Sequence, residues 1–285
     1  MKSRKLSFFG IMCNILIYAL AIVFILPFLL SLLMSVKTKE ETAQSIFALP
    51  KTLHFENFIN AMEEAKILQS FSNSILVTAG TVIIIIICAS LGAYGIGRYY
   101  HKKSMRIYEM ILMASMMIPF QTLMTPLYKM LKNVGMLNTH IGAILIIAAL
   151  NIPFSIMLYT GFVRSIPIEL EEAAQMEGYG PFKIFLNIVF PLLKPATVTV
   201  ATLMTLWTWN EFNVSLIILQ KDSIKTIPMQ QYVFFGQYSS DYNLAFAAAI
   251  ITMIPIILFF LFAQKHIEEG LIGIIVIIAA ANARL

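Results

Sequence analysis

The stretch TVIIIIICASLGAYGIG, Thr81 to Gly97, carries no charged residue, and its apolar side chains come as a block from Val82 to Ala89. Inside a lipid bilayer every backbone N–H and C=O must be paired within the protein, so only helices and closed β-barrels span it. A barrel strand alternates apolar and polar residues at every second position. Five consecutive isoleucines, Ile83 to Ile87, do not alternate. The stretch therefore reads as part of a spanning helix, the uncharged run Ile67–Gly97.

Five further runs have the same character. Leu6–Val36, Met110–Tyr128 and Tyr242–Gln264 are uncharged, Asn133–Val163 is interrupted only by His140, and Pro195–Gln220 holds one charge, Glu211. Each is long enough to cross a hydrocarbon core about 30 Å thick at about 1.5 Å per residue. The expected fold is an all-α integral membrane protein with six transmembrane helices. Composition agrees: 12% of residues are charged and 59% are hydrophobic, with a mean hydropathy of +0.82. A soluble domain carries about 25% charged residues.

Lys2, Arg4 and Lys5 precede the first run, which is longer than the apolar core of a secretory signal and reads as an uncleaved span. With both termini cytoplasmic, twelve of the twenty Lys and Arg residues fall on the inner side. The short loop GRYYHKKSMR, Gly97 to Arg106, is strongly basic, as an inner loop should be. The net charge of +5 then reflects topology and anionic headgroups, and nucleic acid is not an expected partner. The implied organisation is a cytoplasmic N-terminus at 1–10, a six-span domain at 11–265 containing an inner loop at 164–194, and a tail at 266–285. The tail GLIGIIVIIAAANARL is too short for an ordinary span. It reads as an interfacial or protein-buried segment or a non-native addition, with a seventh crossing as the lesser alternative.

The inner loop contains SIPIELEEAAQMEGYGPFKIF, Ser165 to Phe185. Pro167 suits a first helical turn, and Glu169, Glu171 and Glu172 sit at the positive end of the helix dipole. Gly178 is a terminator, and Pro181 opens a second short helix reaching about Phe190. A solvated interfacial link is the plain reading. Against it, the loop exceeds thirty residues and is ordered by strong helix signals. Such a helix suits docking into a groove on a partner.

Within the spans, Glu211 is the one carboxylate well inside a run, where a charge costs about 3 kcal/mol on insertion scales. On a continuous helix Trp207, Asn210, Glu211 and Val214 share one face. An aromatic platform beside hydrogen-bonding groups suits a sugar, whose C–H face stacks while its hydroxyls are bonded. The competing reading is a buried helix–helix contact or a fold-stabilising bond. Asn151, Gln121 and Asn213 are weaker cavity candidates.

No catalytic site is expected. The sequence lacks a nucleophile elbow, a His-Glu-x-x-His motif and a phosphate-binding Gly-x-x-x-x-Gly-Lys-Ser/Thr loop, so ATP must bind elsewhere. His54, His101, His140 and His266 are scattered, and Cys13 and Cys88 lie in apolar spans, so no metal or disulfide is expected.

The loop then resembles a known family. Glu172, Ala173, Ala174 and Gly178, followed nine residues later by Ile188 and Pro191, match the EAA motif of binding-protein-dependent ABC importer permeases. Phe190 replaces the usual Leu, and Glu177 stands where Asp is usual. NIPFSIMLYTGFVRSIPIELEEAA, LWTWNEFNVSLIIL and TIPMQQYVFF resemble the smaller permease subunit of maltose-type carbohydrate importers, with likeness running from about Leu16 to Gly270. The tail departs from the family pattern.

The resemblance implies a permease subunit of an ATP-driven sugar importer in a bacterial or archaeal cytoplasmic membrane. Its loop would be the coupling helix, docked through Glu171, Glu172, Ala173, Ala174, Gly178 and Pro191. The implied partners are a second permease subunit that takes much of the sugar contact, two ATPase subunits that bind ATP and Mg, an extracytoplasmic solute-binding protein and membrane lipid. No cofactor is expected on this chain. The alternatives are a permease for a non-sugar solute, and a self-contained secondary transporter, which would need more intramembrane charge and related halves.

Overall fold

The structure is a computed structural model. It describes residues 8–235 and 241–282, with side chains from residue 12 to 264 except 236–240 and 263. The terminal charges Lys2, Arg4, Lys5 and Arg284 lie outside the described residues, as do the tail's side chains.

Fourteen α-helical segments follow one another among the described residues: α1 (Phe8–Ser35), α2 (Lys39–Gln44), α3 (Glu56–Glu64), α4 (Ile67–Arg98), α5 (Lys103–Ser115), α6 (Phe120–Asn133), α7 (His140–Ser165), α8 (Glu169–Met176), α9 (Pro181–Ile184), α10 (Phe190–Leu192), α11 (Lys194–Trp209), α12 (Asn213–Ile218), α13 (Ile227–Gln231) and α14 (Tyr242–Asn282). Four of them, α1, α4, α7 and the first half of α14, are long and apolar enough to cross a membrane unbroken. Two bent pairs pass the same test when each is taken as one span: α5 with α6 at 97°, and the α9–α10 segment with α11 at 75°. Counted so, four to six candidate spans stand beside the six expected, with the third and fifth not straight.

The bend of the third has a local cause. Proline disfavours the helical conformation of the residue before it, so the third span breaks ahead of Pro119, which caps α6 with an extended ψ of 132°. The fifth bends at Leu193, between α10 and α11, and its helix is interrupted again after Trp209. Within the tail the backbone continues α14 as far as Asn282. Forty-one residues make a helix about 62 Å long, roughly twice the hydrocarbon thickness.

The chain divides into two units, residues 1–67 with 231–254, and residues 68–230 with 255–285. In the first, Thr38 and Glu41 form a reciprocal capping box at α2. In the loop between α2 and α4 lies the short helix α3. It turns Ala61 and Phe58 onto a small core with Ala65, Phe234, Ala247 and Ala248, while Met62 faces out. Buried Asn57 donates to the carbonyls of Ser35 and Lys37 at 2.9 and 2.8 Å and accepts from Asn243 at 3.2 Å. That pins the end of α1 beside α3 and the start of α14. Between Met12 and Ser35, the most apolar stretch of α1 has no part buried within the chain.

In the second unit α4 and α7 lie side by side and run the same way. A Cβ added at Gly80 would meet Ile144 at 2.7 Å, one at Gly92 would meet Ile156 at 3.1 Å, and one at Gly97 would meet Val163 at 2.6 Å. Helices in lipid gain little from hydrophobicity against one another, so van der Waals packing, here of Ile144, Ile156 and Val163 side chains against the small residues of α4, is what holds such a pair. Because the two are parallel, the Gly97–Arg106 loop and the 164–194 loop emerge at one end.

At the other end two turn residues have left-handed backbones, Gly135 with φ of 70° and Asn138 with φ of 59°. The Asn138 side-chain oxygen accepts from the amides of Gln220 and Lys221 at 2.8 and 3.2 Å. Asn73 donates to the carbonyls of Ser223 and Lys225, and the Ser74 hydroxyl accepts from the Ile227 amide. The fifth crossing therefore reaches the end opposite the 164–194 loop despite its break.

Candidate functional site

The loop after α7 is tied into the body of the second unit. Ala174, Ile184, Phe185, Val189 and Leu193 are buried in the same core as Ala93 and Ile96 of α4, Tyr159 and Val163 of α7, and Val200 of α11. In α8 the buried positions are Glu171 and Ala174, three apart and so on one face, while Glu172, Ala173 and Met176 point away.

Glu171 is 3% exposed, and its charge is met from α4. Arg98 donates from Nε to Oε1 at 2.6 Å and places Nη2 2.6 Å from the same oxygen, while the Tyr94 hydroxyl donates to Oε2 at 2.7 Å. The Tyr94 ring also packs on Phe185, with centroids 5.4 Å apart. One carboxylate thus clamps α8 to the last turn of α4. This revises the expectation for Glu171, which lies inside the loop and does not present its charge for docking. Glu172 keeps the exposed position. Tyr94 was not singled out from sequence, and Arg98 was read only as a topology charge. The available signal was spacing: the two lie four residues apart on one helical face, one of them a cation closing an uncharged run.

Gly178 ends α8 with φ of 84°. The Gly178 amide donates to the Gln175 carbonyl at 2.9 Å and the Tyr179 amide to that of Ala174 at 3.0 Å, the paired bonds of a Schellman cap. A Cβ at Gly178 would meet nothing within 4 Å, so the need for glycine is one of backbone conformation alone. Beyond α9 the chain widens into a π-helical stretch, Phe185–Val189, before exposed Pro191 in α10. A proline ring crowds the carbonyl four residues back, here that of Asn187, and the wider turn relieves it.

The residues proposed for the spans do not share one helical face. α11 ends at Trp209, and Glu211 caps α12: its Oε1 accepts from the Val214 amide at 2.9 Å and its Oε2 from the Ser215 amide at 3.1 Å. Both carboxylate oxygens are used at a helix N-terminus, where a negative charge is favoured. The helical-wheel reading of Trp207, Asn210, Glu211 and Val214 is corrected accordingly: Glu211 lies in the break between α11 and α12, with its carboxylate on the α12 amides. Val214 is buried.

Trp207 is 46% exposed and its ring lies 4.9 Å from Phe154 on α7, one turn beyond Asn151. Asn151 and Asn210 each donate to a carbonyl of their own helix, Ile147 and Leu206, at 2.8 Å. Gln121 and Asn213 are exposed at the starts of α6 and α12. Trp209 turns the other way. It meets Phe71 edge-on at 5.4 Å and, with Ile75, Thr205, Pro255 and Phe259, lines an apolar cavity of about 280 Å³. Among the described residues no three His, Cys, Asp or Glu side chains are placed to hold a metal.

A multi-pass helical membrane protein with an ordered helix–turn–helix loop at one end is the architecture of a transport permease. Residues 83–273 match the family described as binding-protein-dependent transport system inner membrane component, and the chain belongs to that family. Among its relatives, the melibiose/raffinose/stachyose import permease protein MelC of Bacillus subtilis (strain 168) is 38% identical over 86% of this chain and 89% of its own. The probable starch degradation products transport system permease protein AmyC of Thermoanaerobacterium thermosulfurigenes is 33% identical over 94% of both. A chain of a bacterial ABC transporter involved in the import of the acidic polysaccharide alginate has the same fold, with a TM-score of 0.76 at 23% identity over 93% of this chain and 98% of that one.

Proposed function

We propose that this chain is the permease subunit of an ATP-driven importer of an oligosaccharide, and that its α8 loop transmits closure of the ATPase subunits to α4. The carrying observation is the part-buried Tyr94–Arg98–Glu171 cluster, with Glu171 at its buried centre, beneath an exposed Glu172–Ala173–Met176 face. A loop anchored on one side and open on the other suits a mechanical link. The oligosaccharide assignment is supported by relatives whose names carry melibiose, raffinose, stachyose and starch degradation products.

In this reading the chain is not itself an enzyme. ATP and Mg belong to two separate ATPase subunits, and a second permease and an extracytoplasmic binding protein complete the assembly. The loop end faces the cytoplasm of a bacterial or archaeal cell. Glu172 supplies a charge-assisted contact to the ATPase, Ala173 permits close approach, and Gly178 and Pro191 shape the turn and the return to α11. Trp207, Asn210 and Asn151 line the sugar path with Gln121 at its entrance, and Glu211 holds the α11–α12 break in place. The loop biases inward against outward states only through contacts that differ between them.

Gly178→Val tests this reading. A β-branched residue at positive φ strains the turn by about 1–3 kcal/mol. The spans should still fold and assemble with the second permease, while the ATPase is recovered at a fraction of the native yield on affinity purification. Native ATPase recovery with the variant, or ATP-independent uptake by the native chain in vesicles, would contradict it.

A further inference from the structure

A second polar site lies at the end of the second unit that carries the α8 loop, and it is lined by a different set of residues. Tyr100, Lys103, Arg106, Ile107, Glu109, Met110, Met113 and Arg164 line a cavity of about 540 Å³, within the range of about 300–1,000 Å³ usual for small-molecule sites. Arg164 stacks 3.8 Å from the Tyr100 ring centre and is held by Glu109, whose two oxygens accept from Nη2 at 3.1 and 3.0 Å. That pairing uses the only carboxylate among the described lining residues. Lys103 and Arg106 are exposed and have no acidic partner among the described residues.

The cations sit at the top of a single stripe. Lys103, Arg106, Ile107, Met110 and Met113 recur at three- and four-residue steps along α5, so they share one face. The stripe begins cationic at the helix start and continues apolar, with Ile107, Met110 and Met113 all more than 40% exposed. The α5 N-terminus has no side-chain cap, which adds partial positive charge at the same place. A cationic head over an apolar wall is the complement of an amphiphile with an anionic head.

We infer that this cavity binds one anionic phospholipid, its phosphate between Lys103, Arg106 and Arg164 and an acyl chain along Ile107, Met110 and Met113. The inference needs α5 to start at the cytoplasmic headgroup layer, as in the proposed function, and is independent of the transported solute. Basic pockets between membrane helices on that side recognise such lipids. The bound lipid bridges the ends of α5 and α7.

The test uses the assembled transporter, equilibrated in nanodiscs of phosphatidylcholine and phosphatidylglycerol, released into mild detergent and weighed by native mass spectrometry. The native assembly should retain phosphatidylglycerol in preference to phosphatidylcholine. Lys103→Gln with Arg106→Gln should weaken that retention on the order of thirtyfold, about fivefold per cation. Lys129→Gln with Lys132→Gln, which removes the same charge at the other end, should change little. Three results would overturn the inference: equal retention of the two lipids, equal loss in both double variants, or displacement of the lipid by millimolar inorganic phosphate. Cross-linking of Met110→Cys to the second permease in every assembly would do so as well, by filling the groove with protein. Loss of ATPase recovery in Gly178→Val without change in lipid retention would leave the two readings separately judged.

Discussion

Arg98→Ala is expected to uncouple the transporter. The substitution leaves the Glu171 carboxylate buried with one remaining donor, Tyr94. Removing one member of a buried ion pair costs about 3–5 kcal/mol, because the survivor keeps its desolvation penalty without its counter-charge. The loop has to rearrange to bring Glu171 to water, which pulls Ala174 out of the core that α8 shares with α4. In proteoliposomes, transport should fall at least about tenfold while ATP hydrolysis persists and no longer responds to the loaded binding protein. The double variant Arg98→Met with Glu171→Leu replaces the pair by apolar groups of similar bulk. It should regain most of the lost thermal stability, since such replacements are often neutral or better. Regained stability together with regained transport would identify the clamp as a mechanical tie. Stability without transport would assign the charge a part in switching.

The second large effect falls on Glu211, where two substitutions separate capping from solute contact. Glu211→Ala removes the acceptors for the Val214 and Ser215 amides, and loss of a cap with charge-assisted bonds costs about 2 kcal/mol. Glu211→Gln keeps one acceptor oxygen and should lose under about half as much. The expected order of thermal stability is native, Gln, then Ala, with transport following the same order and the apparent affinity for solute unchanged. Trp207→Ala should do the reverse, weakening apparent affinity with little effect on stability, since its ring is half exposed. A Glu211→Gln protein that is fully stable yet no longer transports would return that carboxylate to the solute path.

How much of this was legible in the sequence differs from element to element. The uncharged runs gave the number and order of crossings because the bilayer leaves one local solution, a helix, for each long apolar segment. The α8 loop was readable for a similar reason: Pro167, Gly178 and Pro181 act on the backbone through their own geometry. The broken fifth crossing was not readable, because uniform helicity was assumed through Asn210, and a single carboxylate capping α12 leaves no periodic signature. Glu171 and Glu172 are adjacent and chemically identical. Only the position of Arg98 at the parallel end of α4 turns one inward and leaves the other exposed, a tertiary fact no local pattern contains. In sequence the cationic top of α5 is indistinguishable from topology charge. Its alignment with Met110 and Met113 acquires a partner surface only through Arg164, far from it along the chain, and Tyr100, outside α5.

The central claim is that one face of α8 meets the ATPase while the other is fixed to the spans. The most direct measurement is a cysteine cross-linking scan of α8 in the assembled importer, with Cys13 and Cys88 first replaced by Ser. Glu172→Cys, Ala173→Cys and Met176→Cys should each link to an ATPase subunit, and Ala174→Cys should not, reproducing the exposure pattern along the helix. Cross-links from Ala174→Cys as strong as those from Ala173→Cys, or none from any of the exposed positions, would contradict the account.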